Sequence, residues 1–466
     1  MRLTKIICTL GPASSTPETL RALADNGMDV ARINFSHGQR EDQLKFLKLV
    51  KDLNAERKSA VALLLDTKGC EIRTGDRKEP LPVKVGDEIV FSPFPPPNEK
   101  RPVIHVNYDG FAGDVAETDR ILIDNGEMVF DIVSIDPSGF VVARAKDDGK
   151  IGSRRHINLP GADIDLPSIT PKDWEDIAFG IEQDMDMVAL SFIRTAEDVM
   201  EVKSFLKDKG SPMLVFAKIE TKQAVERIDD IIAVSDGIMI ARGDLGAEIP
   251  YERIPAIQGK IVRGCQELGK PVIVATHMLE SMTQHPMPTR AEVTDVAHAA
   301  MSRTDCTMLS GETASGKHPA LAVEAMARII RETEAHLEPD DAVRASPDEV
   351  DARAEAAVRM ANAIGAPAIV ALTRSGWTAK AISRFRPSMP TLAAAPDEAV
   401  RRRMQVLYGV HSTCIPFNAD PEVTTRDAIA AFVKLGKLRP GDRIVLLADT
   451  LAGGHSVDTV QIRTVS

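Results

Sequence analysis

The run "GIMIARGDLG" (237–246) places an acid at the mouth of what otherwise reads as a buried strand: Ile238 to Ala241 lead straight into Arg242, Gly243 and Asp244. Other apolar runs end in the same way. One closes on Arg32, Asn34, Ser36 and His37, another on Asp66, Thr67 and Lys68, and a third on Lys218 and Glu220. Two more end at Thr276–His277 and at Ser310-Gly311-Glu312. Glu220 and Asp244 are hard oxygen donors, suited to Mg²⁺ (or Mn²⁺), which takes one or two carboxylates plus substrate oxygens and water. Alternatively they are rim acids salt-bridged to Arg242 or Lys218. Lys218 and Arg32 supply fixed positive charge, and phosphoryl transfer is catalysed mostly by positioning and by cations facing spread negative charge. Asn34, Ser36, Asp66 and Thr67 form an oxygen cluster suited to K⁺, or else Asn34 and Ser36 cap the following loop. Arg242-Gly243-Asp244 also spells an adhesion signal, which requires export.

Something must hold these groups on one rim. Eight short apolar runs, "KIICTL", "VARINF", "AVALLLD", "DMVALSF", "MLVFAKIE", "GIMIARG", "PVIVAT" and "CTMLSG", alternate with amphipathic helical stretches. That rhythm predicts an α/β fold, a (β/α)₈ TIM barrel, whose strand ends carry the active site. The helix "TPETLRALADNG" opens on Thr16 as cap and closes on Gly27. After the third strand the pattern changes to strand alternation with Asn-Gly and Ser-Gly turns, which predicts an inserted small β-barrel domain. The polar stretch "LEPDDAVRASPDEVD" reads as a linker into a C-terminal α/β domain with strands "AIVALT", "PTLAAAP", "GVHSTCIPF", "DRIVLLA" and "TVQIRTV". The expected limits are 1–69 and 158–338 for the barrel, 70–157 for the insert and 339–466 for the last domain.

Composition narrows the function classes. A net charge of −11 argues against broad nucleic-acid binding, which needs a basic face. The five cysteines are scattered without a CxxC pair, so neither a disulfide framework nor a zinc knuckle is expected. No apolar run approaches the ~18 residues needed to span a membrane, and the N-terminus is no signal peptide. A cytoplasmic enzyme is expected, which weakens the adhesion reading.

The ordered runs "CTLGPAS", "ARINFSHG", "LLDTKGCEIRTG", "INLPGADIDLP", "AKIET", "IARGDLGAEIP", "VATHMLESM", "PTRAEVTDVAHA" and "LSGETASGKHP" closely resemble the signature runs of pyruvate kinase, over essentially the whole chain. The resemblance implies phosphoryl transfer from phosphoenolpyruvate to ADP, giving pyruvate and ATP. By position it implies that Arg32 contacts the transferring phosphate and Lys218 stabilises it in flight. Asn34, Ser36, Asp66 and the Thr67 carbonyl would hold K⁺, and Glu220 and Asp244 the divalent metal, with Gly243 beside the substrate. Thr276 would help deliver a proton to the enolate, supported by Ser310 and Glu312. Pro12, Asn34, His37, Arg73 and Arg155 match positions used around ADP. Glu71, rather than lysine, marks the K⁺-dependent type. Cys70, Asp42, His277 and His298 depart from the usual residues. In "LTRSGWT", Thr373, Arg374, Ser375, Gly376 and Thr378 resemble a phosphorylated-effector site at a helix N-terminus, or else an N-cap by Ser375 or Thr378. The short "LAGGHSVDTVQIRTV" tail favours a monophosphate effector, and the family implies a homotetramer. The competing readings are a metal-dependent carbon–carbon lyase acting on a pyruvate-like enolate and a non-catalytic metabolite sensor.

Overall fold

In the computed structural model, residues 1–57, 60–96, 98–124, 126–162, 164–339, 348–452 and 455–466 are described. Eight parallel strands close into a barrel: Lys5–Thr9, Val30–Asn34, Ala62–Asp66, Met187–Leu190, Leu214–Ile219, Gly237–Ala241, Val272–Ala275 and Cys306–Leu309. Lys5 pairs with Cys306 across the closure. All eight runs expected from the sequence are barrel strands. Strands buried on both faces read as continuous apolar runs rather than alternating ones. Their inward residues, among them Ile7, Val30, Leu64, Met187, Phe216, Met239, Ile273 and Met308, fill the barrel. The Phe216 ring lies over Gly237, where an added Cβ would come within 2.2 Å of it. The outward residues pack under the helices in one large core.

Helix starts follow from short-range chemistry. Thr16 Oγ1 accepts the Thr19 amide at 3.2 Å and Gly27 closes the helix Pro17–Asn26 at φ 124°, both as expected. Thr170/Asp173, Thr195/Asp198 and Thr289/Glu292 are reciprocal capping boxes on three barrel helices.

The insert after the third strand is a seven-stranded sheet between Ile72 and Asn158. Its two edges meet at a bridge between Thr74 and Val106, which curls the sheet around Phe91, Phe111 and Phe130. Of the expected turn residues, Gly126 and Gly139 have φ of 93° and 95°, while Asn125 lies outside the described residues. The linker reading falls largely on residues 340–347, also outside them. Beyond it stands a five-stranded sheet in the order 410–414, 391–395, 369–372, 443–452, 455–464, with only the last strand antiparallel. It docks on the barrel floor, where Arg386 donates two 2.6 Å hydrogen bonds to Asp305.

Candidate active site

The rim is wired from strand to strand. Arg32 Nε donates to Asp66 Oδ2 at 2.6 Å, and Lys218 Nζ donates to Asp66 Oδ1 at 3.0 Å. Lys218 Nζ also lies 2.9 Å from Glu220 Oε1. All four side chains are buried. Burial alone would push the Asp66 carboxyl up, but Arg32 and Lys218 overcome it and hold it below the usual range. Burial opposes the Lys218 charge, yet Asp66 and Glu220 win and its pKa is raised. Lys218 is therefore a permanent cation, held by carboxylates rather than by solvent.

Glu220 is placed differently. Burial pushes its pKa up, the Lys218 ammonium pulls it down, and neighbouring Asp244 pushes it up again, leaving it raised. Oε2 accepts the Phe192 amide at 2.6 Å, but Oε1 is misaligned with the ammonium and has no hydrogen-bond partner among the described residues. That oxygen is charge-paired with Lys218 at 2.9 Å but not hydrogen-bonded, so it keeps acceptor capacity for a bound cation. The Asp244 carboxylate likewise takes no described hydrogen bond. Two neighbouring carboxylates with remaining acceptor capacity are the donor chemistry that Mg²⁺ or Mn²⁺ takes. The salt-bridge alternative is realised in part: Lys218 does approach Glu220, whereas Arg242 is paired bidentately with Asp295 at 2.7 Å.

Asp244 stands in the first turn of a helix, Arg242–Glu248, that follows the strand directly. The Gly243 amide donates to Thr276 Oγ1 at 2.7 Å, and that hydroxyl donates to the Ala275 carbonyl at 2.6 Å. Thr276 and His277 have φ of 68° and 53°, a left-handed conformation that is unusual for a β-branched residue and concentrates at functional sites. Beside them, Glu312 accepts the Leu279 and Ser310 amides at 3.0 and 2.7 Å, and burial raises its pKa. The Ser310 hydroxyl is buried without a described partner.

The proposed K⁺ ligands are adjacent but partly engaged. The Ser36 amide donates to Asn34 Oδ1 at 3.0 Å, the loop cap raised as the alternative. Asp66 serves Arg32 and Lys218, and the Thr67 carbonyl accepts Ser191 Oγ at 2.7 Å. At the lid edge, Arg73 is paired with Glu71 at 2.7 Å through two nitrogens, and Arg155 lies 3.3 Å from Asp124. His37 is exposed, with its pKa lowered by burial of the ring and then by Arg73. Pro12 opens a short 3₁₀ turn after the first strand. Thr373, Arg374, Ser375 and Thr378 lie apart, lining a cavity of about 270 Å³ in the C-terminal domain with Phe417 and Thr424. The N-cap of the helix there is Gly376, with no side-chain cap from Ser375 or Thr378; the Thr373 hydroxyl accepts the Gly376 amide at 3.0 Å.

Two rim residues escaped the sequence reading. Ser191 Oγ accepts from Lys218 at 2.7 Å, and Thr9 Oγ1 accepts from Arg32 at 2.8 Å. They end the fourth and first strands, whose tips carry a hydroxyl and no charge. Following the strand-end rule around all eight tips would have found both.

Fold and rim together define a TIM-barrel enzyme with fixed cations and two neighbouring acids at its strand ends, and an inserted β-sheet domain after the third strand. The family model "Pyruvate kinase, barrel domain" matches residues 1–323, and "Pyruvate kinase, alpha/beta domain" matches 351–463. Plastidial pyruvate kinase 2 of Arabidopsis thaliana is 39% identical, over 100% of this chain and 81% of the relative. Pyruvate kinase of Lactobacillus delbrueckii subsp. bulgaricus is 38% identical, over 96% and 78%. The crystal structure of a pyruvate kinase from Cryptosporidium parvum superposes with a TM-score of 0.92 at 34% identity, over 100% of this chain and 96% of that one. The chain belongs to the pyruvate kinase family. It is a phosphotransferase that moves the phosphoryl group of phosphoenolpyruvate to ADP, and the lyase reading is not favoured.

Proposed function

We propose that the rim residues divide the reaction as follows. Arg32 and Lys218 face the phosphoryl group, Arg32 oriented by Asp66 and Thr9, and Lys218 by Asp66 and Ser191. Glu220 and Asp244 hold Mg²⁺ or Mn²⁺, which when bound neutralises developing negative charge on the substrate oxygens. The Gly243 backbone lies beside that substrate. Thr276 presents its hydroxyl to the enolate carbon, and Ser310 and Glu312 complete the proton network. Asn34, Ser36, Asp66 and the Thr67 carbonyl hold K⁺. Pro12, Asn34, His37, Arg73 and Arg155 line the ADP side, under a lid spanning 70–157 between barrel parts 1–69 and 158–338. Shutting it keeps water from competing with ADP.

The observation that carries this reading is Glu220 within electrostatic reach of Asp244, its buried Oε1 ion-paired to Lys218 at 2.9 Å but not hydrogen-bonded. A coupled assay of pyruvate formation from phosphoenolpyruvate, with and without ADP, measures the reaction. Lys218→Met should lower kcat by at least 100-fold while Mn²⁺ binding persists, removal of a charge aimed at the transition state having a cost of that order. Unchanged turnover removes the role.

The last domain, 339–466, carries a second reading. Hydroxyls, Arg374 stacked 5.2 Å from the Phe417 ring, and the start of helix Trp377–Arg384 surround the 270 Å³ cavity, which supports a phosphorylated effector such as AMP or a hexose monophosphate. A homotetramer follows from the family resemblance. Five free thiols suit a reducing compartment such as the cytoplasm, and no described helix is long and apolar enough to cross a membrane.

A further inference from the structure

The helix Arg242–Glu248 carries two acids one turn apart, Asp244 and Glu248. Seven residues with no side-chain cap make no stable helix by themselves. Its orientation, and therefore the direction of the Asp244 carboxylate, must come from tertiary contacts. Its first turn is fixed from the barrel, by the Gly243–Thr276 hydrogen bond and the Arg242–Asp295 ion pair. Its last turn is fixed from the lid. Asn158, the final residue of the lid strand His156–Asn158, donates Nδ2 to Glu248 Oε1 at 3.4 Å, and the Gly161 amide hydrogen-bonds the same carboxyl.

These contacts sit where the chain returns from lid to barrel. Gln223 Nε2 donates to the Ala162 carbonyl at 2.8 Å, and Arg194 donates to the carbonyls of Ile164 and Leu166. Those anchors tie the returning segment to the barrel wall. Glu248 is hydrogen-bonded to that segment, and His156 on the same strand faces Asp244 electrostatically. Asn158 is 4% exposed, and its Oδ1 has no described partner. Glu248 and Asn158 line a hinge cavity of about 50 Å³ with Cys70, Ile72 and Phe192, too small for a substrate.

We propose that Glu248 is a positioning residue, whose carboxyl couples the lid's returning strand to the helix that presents Asp244, so that lid and metal acid reach their working places together. This rests on the assignment of Asp244 to the divalent metal.

The test uses Glu248→Ala, Glu248→Gln and Asn158→Ala in the full chain. In Glu248→Ala, kcat for pyruvate formation should fall about 10-fold or more and Mn²⁺ affinity without nucleotide several-fold, while KM for phosphoenolpyruvate stays within about threefold, as for partners that orient a metal ligand. Glu248→Gln should stay within about threefold of wild type in kcat, because its carbonyl accepts the Gly161 amide and its NH₂ can satisfy Asn158 Oδ1. If Glu248→Ala fails to fold by circular dichroism, Asn158→Ala, which leaves the helix untouched, must show the same split between kcat and KM. Wild-type kcat in Glu248→Ala, or equal damage in Glu248→Gln, overturns the proposal. Asp244→Asn run alongside separates the two readings: wild-type Mn²⁺ affinity there sinks the metal assignment itself, whatever Glu248→Ala does.

Discussion

Around Asp66 the charges balance before any substrate arrives: Arg32 and Lys218 against Asp66 and Glu220, all buried. A bound phosphoenolpyruvate adds an excess of negative charge that a divalent metal alone does not cancel. Glu71, paired with Arg73, supplies no cation to make up the deficit. Burial alone would push its carboxyl up, but the Arg73 guanidinium holds it down, so it is an anion at the lid edge. A lysine at that position could stand in for K⁺, and a glutamate cannot. Replacing K⁺ by tetramethylammonium should therefore lower kcat on the order of 10- to 100-fold, the usual worth of one lost charge-stabilising group. Glu71→Lys should recover part of that activity without K⁺, and identical K⁺ dependence in the two proteins would refute the argument. The charged rim residues were legible because a Lys or Glu closing an apolar run breaks the pattern. Thr9 and Ser191 were easier to miss, because a lone hydroxyl within "KIICTL" or "VALS" looks like strand.

Between residue and domain, the hinge is pinned asymmetrically. On the outgoing side, Asp173 Oδ1 accepts the amides of Lys68 and Gly69 at 3.0 and 3.1 Å. Its Oδ2 accepts the Thr170 amide at 2.9 Å, so one buried carboxylate closes a capping box and pegs the hinge. Gly69 has φ 70°, and a Cβ there would lie 2.9 Å from the Ser191 carbonyl, so the chain leaves the barrel by a path only glycine follows easily. Asp173→Ala should cost about 2–4 kcal/mol, combining a lost cap with two orphaned amides. It should also raise KM for ADP more than KM for phosphoenolpyruvate, because the lid edge carrying Arg73 loses its anchor. Thermal unfolding and the two KM values check this, and a variant unchanged in both refutes it. The Thr170/Asp173 box is readable from four residues of sequence. The peg is not, because its amides lie 104 and 105 positions away. For the same reason the Asn158–Glu248 contact, 90 positions apart, had no signal in the sequence. The helix Arg242–Glu248 had no clear signal either, because seven residues held by tertiary contacts leave little periodicity.

At the scale of the whole molecule, the 270 Å³ cavity proposed for an effector and the rim lie on different domains, which meet at the barrel floor. One short route exists in the packing. The cavity caps the helix Trp377–Arg384, and Arg386 just beyond it pairs with Asp305, both 2% exposed or less. Asp305 immediately precedes the strand Cys306–Leu309, which ends at Ser310 and Glu312 on the rim. The Tyr408 amide donates to the same carboxylate at 3.0 Å, as does the Val272 amide of the neighbouring barrel strand, so its oxygens serve both domains. A rigid helix, a bidentate ion pair and a barrel strand in series can carry the 1–3 kcal/mol typical of coupling between sites, about 5- to 150-fold in affinity. Arg386→Met, which strands Asp305 in the interior, should cost about 3–5 kcal/mol. Arg386→Lys keeps the charge but loses the two-pronged geometry. In that variant, the shift in half-saturating phosphoenolpyruvate produced by AMP or a hexose monophosphate should shrink to less than about half its wild-type size, if this junction carries most of the coupling. Titrations on both proteins decide it. An undiminished shift in a folded Arg386→Lys would move the coupling off this junction, and no shift in either protein would retire the effector cavity.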